Sequence, residues 1–312
     1  MKTKRMRFLK GVAIGGIAML TAACSDSDDT HESKSDDHGK AVHAEQVSHA
    51  VKHADHWAYE GDGAPHAWNV IKDEYATCGD GKQQSPIDIS TVTIGPLSEI
   101  EFKYKSTPLE LTNNGHTIQA NYHTGSYITV GGKRYDLLQL HFHAPSEHTI
   151  GGKSYDMVAH LVHKAADGQL GVIGVMFKAG DKNKEIEKLW ANMPTESGQT
   201  STVKNMRINA LDLLPVDLTY FNYAGSLTTP PCSEGVNWMV MATPVSISAK
   251  QVKQFTDLFP LSARPVQPLV ANRVAVVLVV PLTGQHEDRK HGIGVAALQP
   301  QRLRELLLED RE

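Results

Sequence analysis

Two histidines alternate in the stretch His141-Phe142-His143-Ala144-Pro145-Ser146-Glu147, which ends a strand-like run that starts at Tyr135. Because side chains alternate between the two faces of a β-strand, His141 and His143 project the same way. His160, in the stretch Ala159-His160-Leu161-Val162-His163, is expected to meet them from a neighbouring strand. Three imidazole nitrogens with one position left open are the ligands of a catalytic zinc ion, which makes hydroxide from water near neutral pH. The sequence therefore predicts a zinc centre.

Other strand-like segments occur in pairs around turn signals. The pairs are residues 127–130 and 135–143, around Gly131-Gly132-Lys133-Arg134, and residues 155–164 and 170–178, around Ala166-Asp167-Gly168. Alternation along residues 155–164 predicts that Val158, His160 and Val162 share one face. The other face is predicted to carry Tyr155, Met157, Ala159 and Leu161.

Helical signals are few and short. Residues 181–192 have apolar side chains at helical spacing, and Ser248-Ala249-Lys250-Gln251 is a capping-box pattern ahead of a second apolar stripe. Strand-like segments dominate, and β and α segments do not alternate along the chain. We therefore predict a mainly β fold with a large, mostly antiparallel central sheet and short surface helices, and not a doubly wound fold.

Composition narrows the class of protein. The chain of 312 residues has room for one large domain or two, and its 40% hydrophobic and 21% charged residues are typical of a globular protein. With a net charge of −4 and a pI near 6.5, the chain has no excess of basic residues for nucleic-acid binding, so no nucleic-acid partner is expected.

The first 23 residues have the pattern of an export signal. Basic residues precede an apolar run over residues 11–20 that is too short to span a bilayer, and Thr21-Ala22-Ala23 offers small residues for cleavage. We predict a signal peptide over residues 1–23 and a location in the bacterial periplasm or cell envelope. Leu20-Thr21-Ala22-Ala23-Cys24 resembles a bacterial lipoprotein cleavage site, so Cys24 is a candidate for lipidation and membrane attachment.

Residues 24–56 are polar and rich in His and Asp. They carry too little apolar surface to offset the entropy of ordering, so we predict a disordered tether. Its histidines would capture metal weakly or, in the simpler interpretation, belong to a solvated spacer. From Trp57 to about residue 281 the composition is that of a folded domain. Residues 282–312 form a C-terminal tail to which we assign no role.

Three cysteines are present: Cys24, Cys78 and Cys232. An exported protein favours disulfides. If Cys24 carries a lipid, the other two form an even set that can pair. Two unrelated buried thiols are the alternative.

The metal-binding pattern has a rival interpretation. His141, His143 and Glu147 also resemble the first motif of the cupin barrels, where the glutamate itself binds the metal. A cupin needs glycines at set distances around this motif and a second Pro-Gly-His-Asn motif. Neither is apparent, so a cupin-type metal oxygenase is disfavoured.

Seven motifs in a fixed order resemble those of the α-class carbonic anhydrases, and the resemblance covers residues 57 to about 280. The motifs are His56-Trp57-Ala58-Tyr59, Gln84-Ser85-Pro86-Ile87-Asp88-Ile89, Asn113-Asn114-Gly115-His116, Leu140-His141-Phe142-His143, Ser146-Glu147-His148, His160-Leu161-Val162-His163 and Gly225-Ser226-Leu227-Thr228-Thr229-Pro230-Pro231. Seven ordered motifs are far more specific than any one of them.

The resemblance implies a zinc ion in a conical cleft over a mostly antiparallel sheet, with His141, His143 and His160 as the zinc ligands. Carbonic anhydrase is itself the standard example of a three-histidine zinc enzyme. The implied reaction is the reversible hydration of CO2 to bicarbonate and a proton, by attack of zinc-bound hydroxide. The resemblance also implies a disulfide between Cys78 and Cys232.

Roles of the other site residues follow from the same resemblance. Thr228 is expected to accept a hydrogen bond from the hydroxide and donate its own to Glu147, since an ionised carboxylate can only accept. His116 is expected to shuttle protons, as its ordinary pKa near ~6.5 suits. The remaining cleft positions are Thr229 for substrate, Tyr59, Asn114 and Gln119 for ordered water, and Val162, Val172, Leu227 and Trp238 for an apolar CO2 wall.

Each of these residues also has a purely structural interpretation. Thr228 and His116 both lie in turn-like sequences, Glu147 would serve as a surface charge, and the apolar positions would serve equally well as core. Gln139 is placed by strand alternation on the same face as His141, where it is expected to hold the free N–H of that imidazole.

The sequence departs from the family pattern at one position. The residue two before the third ligand is normally a glutamate that holds that histidine, and here it is Val158. Loss of such a partner typically costs ~10 to 100-fold in metal affinity or activity. We therefore expect weaker zinc retention than in the family. Val158 also supports a second hypothesis, a non-catalytic zinc-binding or interaction protein on the same fold. The sequence leaves the oligomeric state open.

Overall fold

The structure is a computed structural model that describes residues 54–94, 98–269 and 277–279. The predicted signal peptide, Cys24, the tether up to residue 53 and the C-terminal tail lie outside the described residues. Among the described helices, none combines the length and apolar character that crossing a membrane requires.

Strands dominate the described residues, as predicted. In chain order they are β1 (Asp88–Ile89), β2 (Thr93–Ile94), β3 (Ile100–Lys103), β4 (Thr107–Asn113), β5 (Ile118–Asn121), β6 (Tyr127–Val130), β7 (Lys133–His143), β8 (Thr149–Ile150), β9 (Met157–Ala165), β10 (Leu170–Ala179), β11 (Thr200–Ile208), β12 (Tyr220–Ser226), β13 (Glu234–Met241), β14 (Val245–Ile247) and β15 (Val277–Val279).

One large sheet contains thirteen of the strands in the described part of the chain. Its main order is β11-β4-β5-β7-β9-β10-β13-β12-β15-β2, with β6 beside β7, β3 beside β6 and β14 beside β10. The pairs β10–β13, β10–β14 and β15–β2 are parallel, and the other pairs of this sheet are antiparallel. A separate small sheet pairs β1 with β8. The prediction of a mainly β fold with a large, mostly antiparallel sheet is confirmed.

The helices are short. They are α1 (Trp68–Ile71), α2 (Thr77–Asp80), α3 (Lys184–Trp190) and α4 (Ala249–Thr256), with 3-10 turns at Gly61–Gly63, Pro65–Ala67, Asp73–Tyr75 and Ala210–Leu213. Helix α3 is shorter than predicted because the Asn183 side chain accepts hydrogen bonds from the Glu185 and Ile186 amides and so caps it. Helix α4 begins with the predicted capping box, formed by Ser248 and Gln251.

The turn between β6 and β7 is tighter than predicted. Gly131 and Gly132 have φ values of 56° and 76°, which glycine adopts readily and which a two-residue hairpin turn requires. Lys133 and Arg134 therefore pair with Val130 and Thr129 as part of the ladder, and are not turn residues.

An irregularity in β7 determines which side chains reach the site. The pairing of β7 with β9 shifts register between Leu137 and Gln139. Before the shift, Tyr135 and Leu137 are buried in the larger apolar core; after it, Leu140 and Phe142 are. A β-bulge changes the parity of a strand in this way. It turns Gln139, His141 and His143 onto the opposite face.

Strand β9 is buried on both faces. Met157, Ala159 and Leu161 join the larger core, and Val158 and Val162 join a second apolar cluster with Trp238, as alternation predicts. Tyr155 is an exception to the prediction: it precedes β9 and packs against the second cluster. The site lies on this second face of the sheet.

Candidate active site

The three predicted ligands come from two adjacent strands. In the ladder between β7 and β9, His141 lies directly opposite His160, and His143 lies two residues further along β7. The ring centroids are 4.7 to 5.3 Å apart. One ligand atom from each ring lies within 4.8 Å of the other two. The strand pairing thus brings the three imidazoles around one centre.

The surroundings keep the imidazoles of His141 and His160 neutral. Burial is the main cause that holds the pKa of His141 and of His160 well below the ordinary value, and the neighbouring histidines lower both further. A neutral imidazole nitrogen is the form that binds a metal. At these two positions the electrostatics therefore favour a bound cation over protonated rings.

Hydrogen bonds fix two of the rings in the form that a metal requires. His143 Nδ1 lies 2.6 Å from the Ser262 carbonyl oxygen, which can only accept, so Nδ1 carries the proton and Nε2 has a free lone pair. His141 Nδ1 lies 2.9 Å from Gln139 Oε1 and donates in the same way. His143 Nε2 is buried and has no hydrogen-bond partner in the part of the chain that the structure describes. An orphaned acceptor of this kind fits a metal ligand.

Glu147 lies beneath this centre and is 2% exposed. Its Oε1 accepts a hydrogen bond of 3.0 Å from the Arg264 amide, and its Oε2 lies 3.6 Å from His143 Nε2 and 3.8 Å from His160 Nδ1. Burial raises the pKa of Glu147. His143, the Arg264 amide and the Thr228 hydroxyl oppose that rise. Thr228 is itself buried, so the predicted Thr228–Glu147 pair is close together in a water-poor place.

Arg264 connects Glu147 to the rest of the cleft. Its guanidinium donates to Gln84 Oε1 at 2.9 Å, to the Ser85 carbonyl at 2.7 Å and to the Cys78 carbonyl at 2.8 Å. Burial lowers the pKa of Arg264 to about 10, so the group is still charged at neutral pH. A buried cation near Glu147 favours the ionised carboxylate.

The turn that carries Thr228 and Thr229 is tied to the same framework. Cys78 and Cys232 form a disulfide, and the Cys232 amide donates to the Thr229 carbonyl at 2.9 Å. Gln84 Nε2 donates to the Cys232 carbonyl at 3.0 Å. The disulfide and Gln84 therefore fix the turn, and Gln84 in turn contacts Arg264.

An apolar wall lies beside the histidines. Val162 on β9, Val172 on β10 and Trp238 on β13 are neighbours in successive ladders, and Leu227 packs against the cluster that they form. The four residues predicted for this wall are thus brought together. They pack together in the same way as core residues do.

His116 lies in a separate aromatic group at the cleft. Its ring stacks on Trp57 with centroids 3.7 Å apart, and Tyr59 lies 6.5 Å from it, edge-on. Tyr59 Oη is 3.5 Å from His143 Nδ1, which links this group to the histidine centre. Burial lowers the pKa of His116.

Two of the predicted water-ordering residues have other partners. Asn114 Oδ1 accepts from the His116 and Thr117 amides and so closes the turn before β5. Gln119 lies opposite His141 in the ladder, and its amide nitrogen donates to Asn121 Oδ1 at 2.7 Å. Part of the hydrogen-bonding capacity of both side chains is therefore taken up by the protein.

Sequence reasoning missed three residues that shape the site: Trp57, Ser262 and Arg264. Ser262 and Arg264 lie in an irregular segment more than a hundred residues after their partners. They carry no local pattern. Trp57 stands in a quoted motif beside Tyr59, but nothing in the spacing indicates that it stacks on His116.

Comparison with known proteins identifies relatives. The model of the eukaryotic-type carbonic anhydrase family matches residues 63–274. A carbonic anhydrase from Klebsiella pneumoniae is 48% identical over 220 residues, which are 69% of this chain and 89% of that protein.

Two solved structures are also similar. A hyperthermostable carbonic anhydrase identified from an active hydrothermal vent chimney has a TM-score of 0.69 at 51% identity, covering 71% of this chain and 100% of that one. The α-carbonic anhydrase from Thermovibrio ammonificans, in complex with the inhibitor sulfanilamide, has a TM-score of 0.68 at 45% identity, covering 71% and 98%.

Proposed function

The chain belongs to the eukaryotic-type, or α-class, carbonic anhydrase family, and on this premise we propose that it hydrates CO2 reversibly to bicarbonate and a proton at a zinc ion. His141, His143 and His160 would hold the ion. The observation that carries the proposal is the convergence of three imidazoles, two of them fully buried, beside Glu147 and an apolar wall.

The donor set fits zinc. Three imidazoles with an open position match a catalytic zinc site, and two of the rings already have the required tautomer. When bound, zinc supplies hydroxide near neutral pH by lowering the pKa of a water, and carbonic anhydrase is the standard case of that chemistry.

The residues of the chain orient the nucleophile. An ionised Glu147 can only accept, so the Thr228 hydroxyl directs its proton to the carboxylate and keeps a lone pair for the nucleophile. With its own proton committed to Glu147, the Thr228 oxygen would act as the acceptor that orients the nucleophile. Thr229 lies next in the same turn and would position CO2. Val162, Val172, Leu227 and Trp238 would hold CO2 against an apolar surface and exclude water.

His116 would move the proton away from the centre. Its pKa lies below the ordinary histidine value, so the ring is mostly neutral at pH 7 and is ready to accept. Its stack on Trp57 places it beside Tyr59, which contacts His143. Water ordered by Tyr59, Asn114 and Gln119 would connect His116 with the centre.

We further propose that the enzyme acts in the bacterial periplasm or cell envelope, after removal of residues 1–23. The N-terminal pattern supports export, and lipidation of Cys24 would hold the protein at a membrane. A disulfide between Cys78 and Cys232 is in keeping with an oxidising compartment.

The proposal is tested by zinc analysis and stopped-flow CO2 hydration on the same samples. Wild type should hold one zinc per chain and be active. His143→Ala should lose both zinc and activity. Thr228→Val, which replaces a buried hydroxyl by a methyl of the same shape, should keep its zinc and lose roughly 100-fold in rate, in the range for removing one orienting polar group.

Sulfanilamide serves as a control ligand, since it is an inhibitor of the structurally similar enzyme from Thermovibrio ammonificans. It should inhibit the wild type and bind Thr228→Val as well. A zinc-loaded wild type without hydration activity would contradict the proposal and favour the second hypothesis, a non-catalytic zinc-binding protein. This second hypothesis is supported by Val158, which stands where the family normally has a glutamate that holds the third ligand.

A further inference from the structure

The third ligand is held differently from the other two. His160 Nδ1 and His143 Nε2 both lie near Glu147 Oε2, so Nδ1 is the nitrogen of His160 that faces the metal centre. If Nδ1 binds the metal, Nε2 must carry the ring proton. That donor is buried and has no hydrogen-bond partner within the described residues. Leaving a buried donor unpaired is costly, so its environment needs an acceptor.

Val158 cannot be that acceptor. It lies two residues before His160 on the same face of β9 and is fully buried with Tyr223 and Trp238. Its side chain has no polar atom. Whatever holds His160 in place must therefore come from another element.

His148 is the candidate on the same side. Its ring lies 6.2 Å from the His160 ring, and both rings pack on Trp238, at 4.6 and 4.9 Å. Its Nδ1 is buried and likewise has no partner. The two neighbouring rings thus each present one unpaired nitrogen. Val158 occupies the strand position from which a carboxylate would have been aimed at His160.

The direction of the hydrogen bonds at Tyr223 sets whether His148 Nδ1 is a donor or an acceptor. His148 Nε2 lies 2.6 Å from Tyr223 Oη, which lies 2.8 Å from Ser85 Oγ. Ser85 Oγ also accepts from the Ser226 amide at 3.0 Å. If Tyr223 donates to Ser85, it accepts from His148, so Nε2 of His148 carries the proton. Nδ1 then has a free lone pair and is an acceptor.

The packing around this chain of hydrogen bonds is rigid. Gly225 lies between its members, and a Cβ at that position would be 2.2 Å from Ser85 Oγ and 2.7 Å from the Tyr223 ring. The close approach allows Ser85 and Tyr223 to hold His148 in one orientation. A ring fixed in this way can orient a neighbour.

We propose that His148 is a positioning residue for His160, and that it replaces the carboxylate that Val158 lacks by accepting the His160 Nε2 proton through one bridging water. The two nitrogens form no direct hydrogen bond, and two unpaired buried polar atoms on neighbouring rings are a usual setting for a bridging water. The proposal rests on the proposed zinc function.

The first test is spectroscopic and needs no variant that might misfold. In zinc-loaded, ¹⁵N-histidine-labelled protein, long-range ¹H–¹⁵N spectra report which nitrogen of each ring is protonated. His160 should have its proton on Nε2, in slow exchange with solvent, and His148 should have its proton on Nε2 as well. A proton on Nδ1 of His148 would put two donors face to face and overturn the proposal.

The second test compares zinc loss to excess EDTA in zinc-loaded variants that melt as cooperatively as wild type. His148→Asn keeps an oxygen acceptor near the position of Nδ1. His148→Leu introduces a side chain with nearly the shape of asparagine but without an acceptor. We expect loss from His148→Leu to be roughly 10 to 100-fold faster than from wild type, with most of the difference recovered in His148→Asn. Equal rates in the two variants would refute a role for the acceptor.

The two proposals fail in different ways. If wild-type protein binds no zinc, the proposed function is wrong and the inference falls with it. If wild type binds zinc and hydrates CO2 but the tautomer or the rates differ from expectation, only the role of His148 is wrong.

Discussion

The disulfide between Cys78 and Cys232 offers the sharpest prediction about stability. It joins residues 154 positions apart, from α2 near the start of the described domain to the turn that carries Thr228. Replacing both cysteines by alanine, or reducing the wild type, opens a very long loop in the unfolded chain.

The size of the effect follows from that loop. The chain-entropy relation, ΔS of about −2.1 − 1.5R ln n with n near 154, gives about 5 kcal/mol at 25 °C, and this is an upper value because native strain and residual structure reduce it. For a domain of this size, each kcal/mol corresponds to ~2 to 4 °C in Tm. We therefore expect a fall in Tm of roughly 8 to 20 °C.

Catalysis at 25 °C should change much less. The turn keeps the hydrogen bonds from the Cys232 amide to Thr229, from the Leu227 amide to Ser233 and from Gln84 to the Cys232 carbonyl. Zinc content should be unchanged, and the hydration rate should stay within a few-fold of wild type.

Calorimetry and stopped-flow hydration, run with and without reductant, check both parts. The Cys78→Ala/Cys232→Ala variant is its own control, because reductant should no longer alter its Tm. A fall in Tm of less than ~3 °C would refute the loop-entropy reasoning. A rate as low as that of Thr228→Val would instead show that the turn depends on the disulfide for its geometry.

Three further predictions concern single side chains. Val158→Glu should slow zinc loss to a chelator by roughly 10-fold or more, because a carboxylate would accept directly from His160; an unchanged rate would contradict this. Trp57→Ala should raise the pKa of His116 toward its ordinary value, since burial is what lowers it, and an NMR titration that shows no rise would count against the stack as the cause. Burial lowers the pKa of His163 from 6.5 to about 4. Between these two pH values the histidine is therefore protonated in the unfolded chain and neutral in the folded chain. Stability should therefore fall by about 2 kcal/mol between pH 7 and pH 5 from this residue alone, and urea unfolding of His163→Gln should show a correspondingly flatter pH dependence.

The local parts of the fold were predictable from sequence because they depend on neighbours along the chain. The capping box at Ser248 needs only residues three apart. The alternation of His141 with His143, and of Val158 with His160, needs only an extended strand. The hairpin at Gly131 was predicted with a turn of four residues, and the structure has a turn of two. The two-residue form depends on positive φ values, which the sequence permits but does not require.

The bulge in β7 could not be predicted from alternation. A strict period of two from Tyr135 would put Tyr135, Leu137 and His141 on one face. The structure buries Tyr135 and Leu137 in the larger core and turns His141 to the other side. Only the pairing with β9 shows where the extra residue is absorbed. The prediction that His141 and His143 share one face still holds, because both histidines follow the bulge.

The groups that hold the ligands were the least predictable part of the site. Gln139 is two residues from His141 and was found by strand alternation, whereas Ser262 contacts His143 across 119 residues of chain and was not. The carbonyl that accepts from His143 belongs to the backbone, so any residue type at position 262 would supply it. Sequence patterns cannot report a contact that does not depend on the side chain.

The different ways in which the three ligands are held explain why valine at position 158 matters for the site. His141 and His143 each have an acceptor on the nitrogen that faces away from the centre, and one of these acceptors is a backbone carbonyl that substitution cannot remove. His160 Nε2 has no such acceptor within the described residues, and the strand position two before it, on the same face, holds the apolar Val158. A change there alters the support of one ligand and leaves the strands, the other two ligands, Glu147 and Thr228 where they are. The site can therefore lose that carboxylate and still present the same three nitrogens, provided that the ring of His160 finds another acceptor.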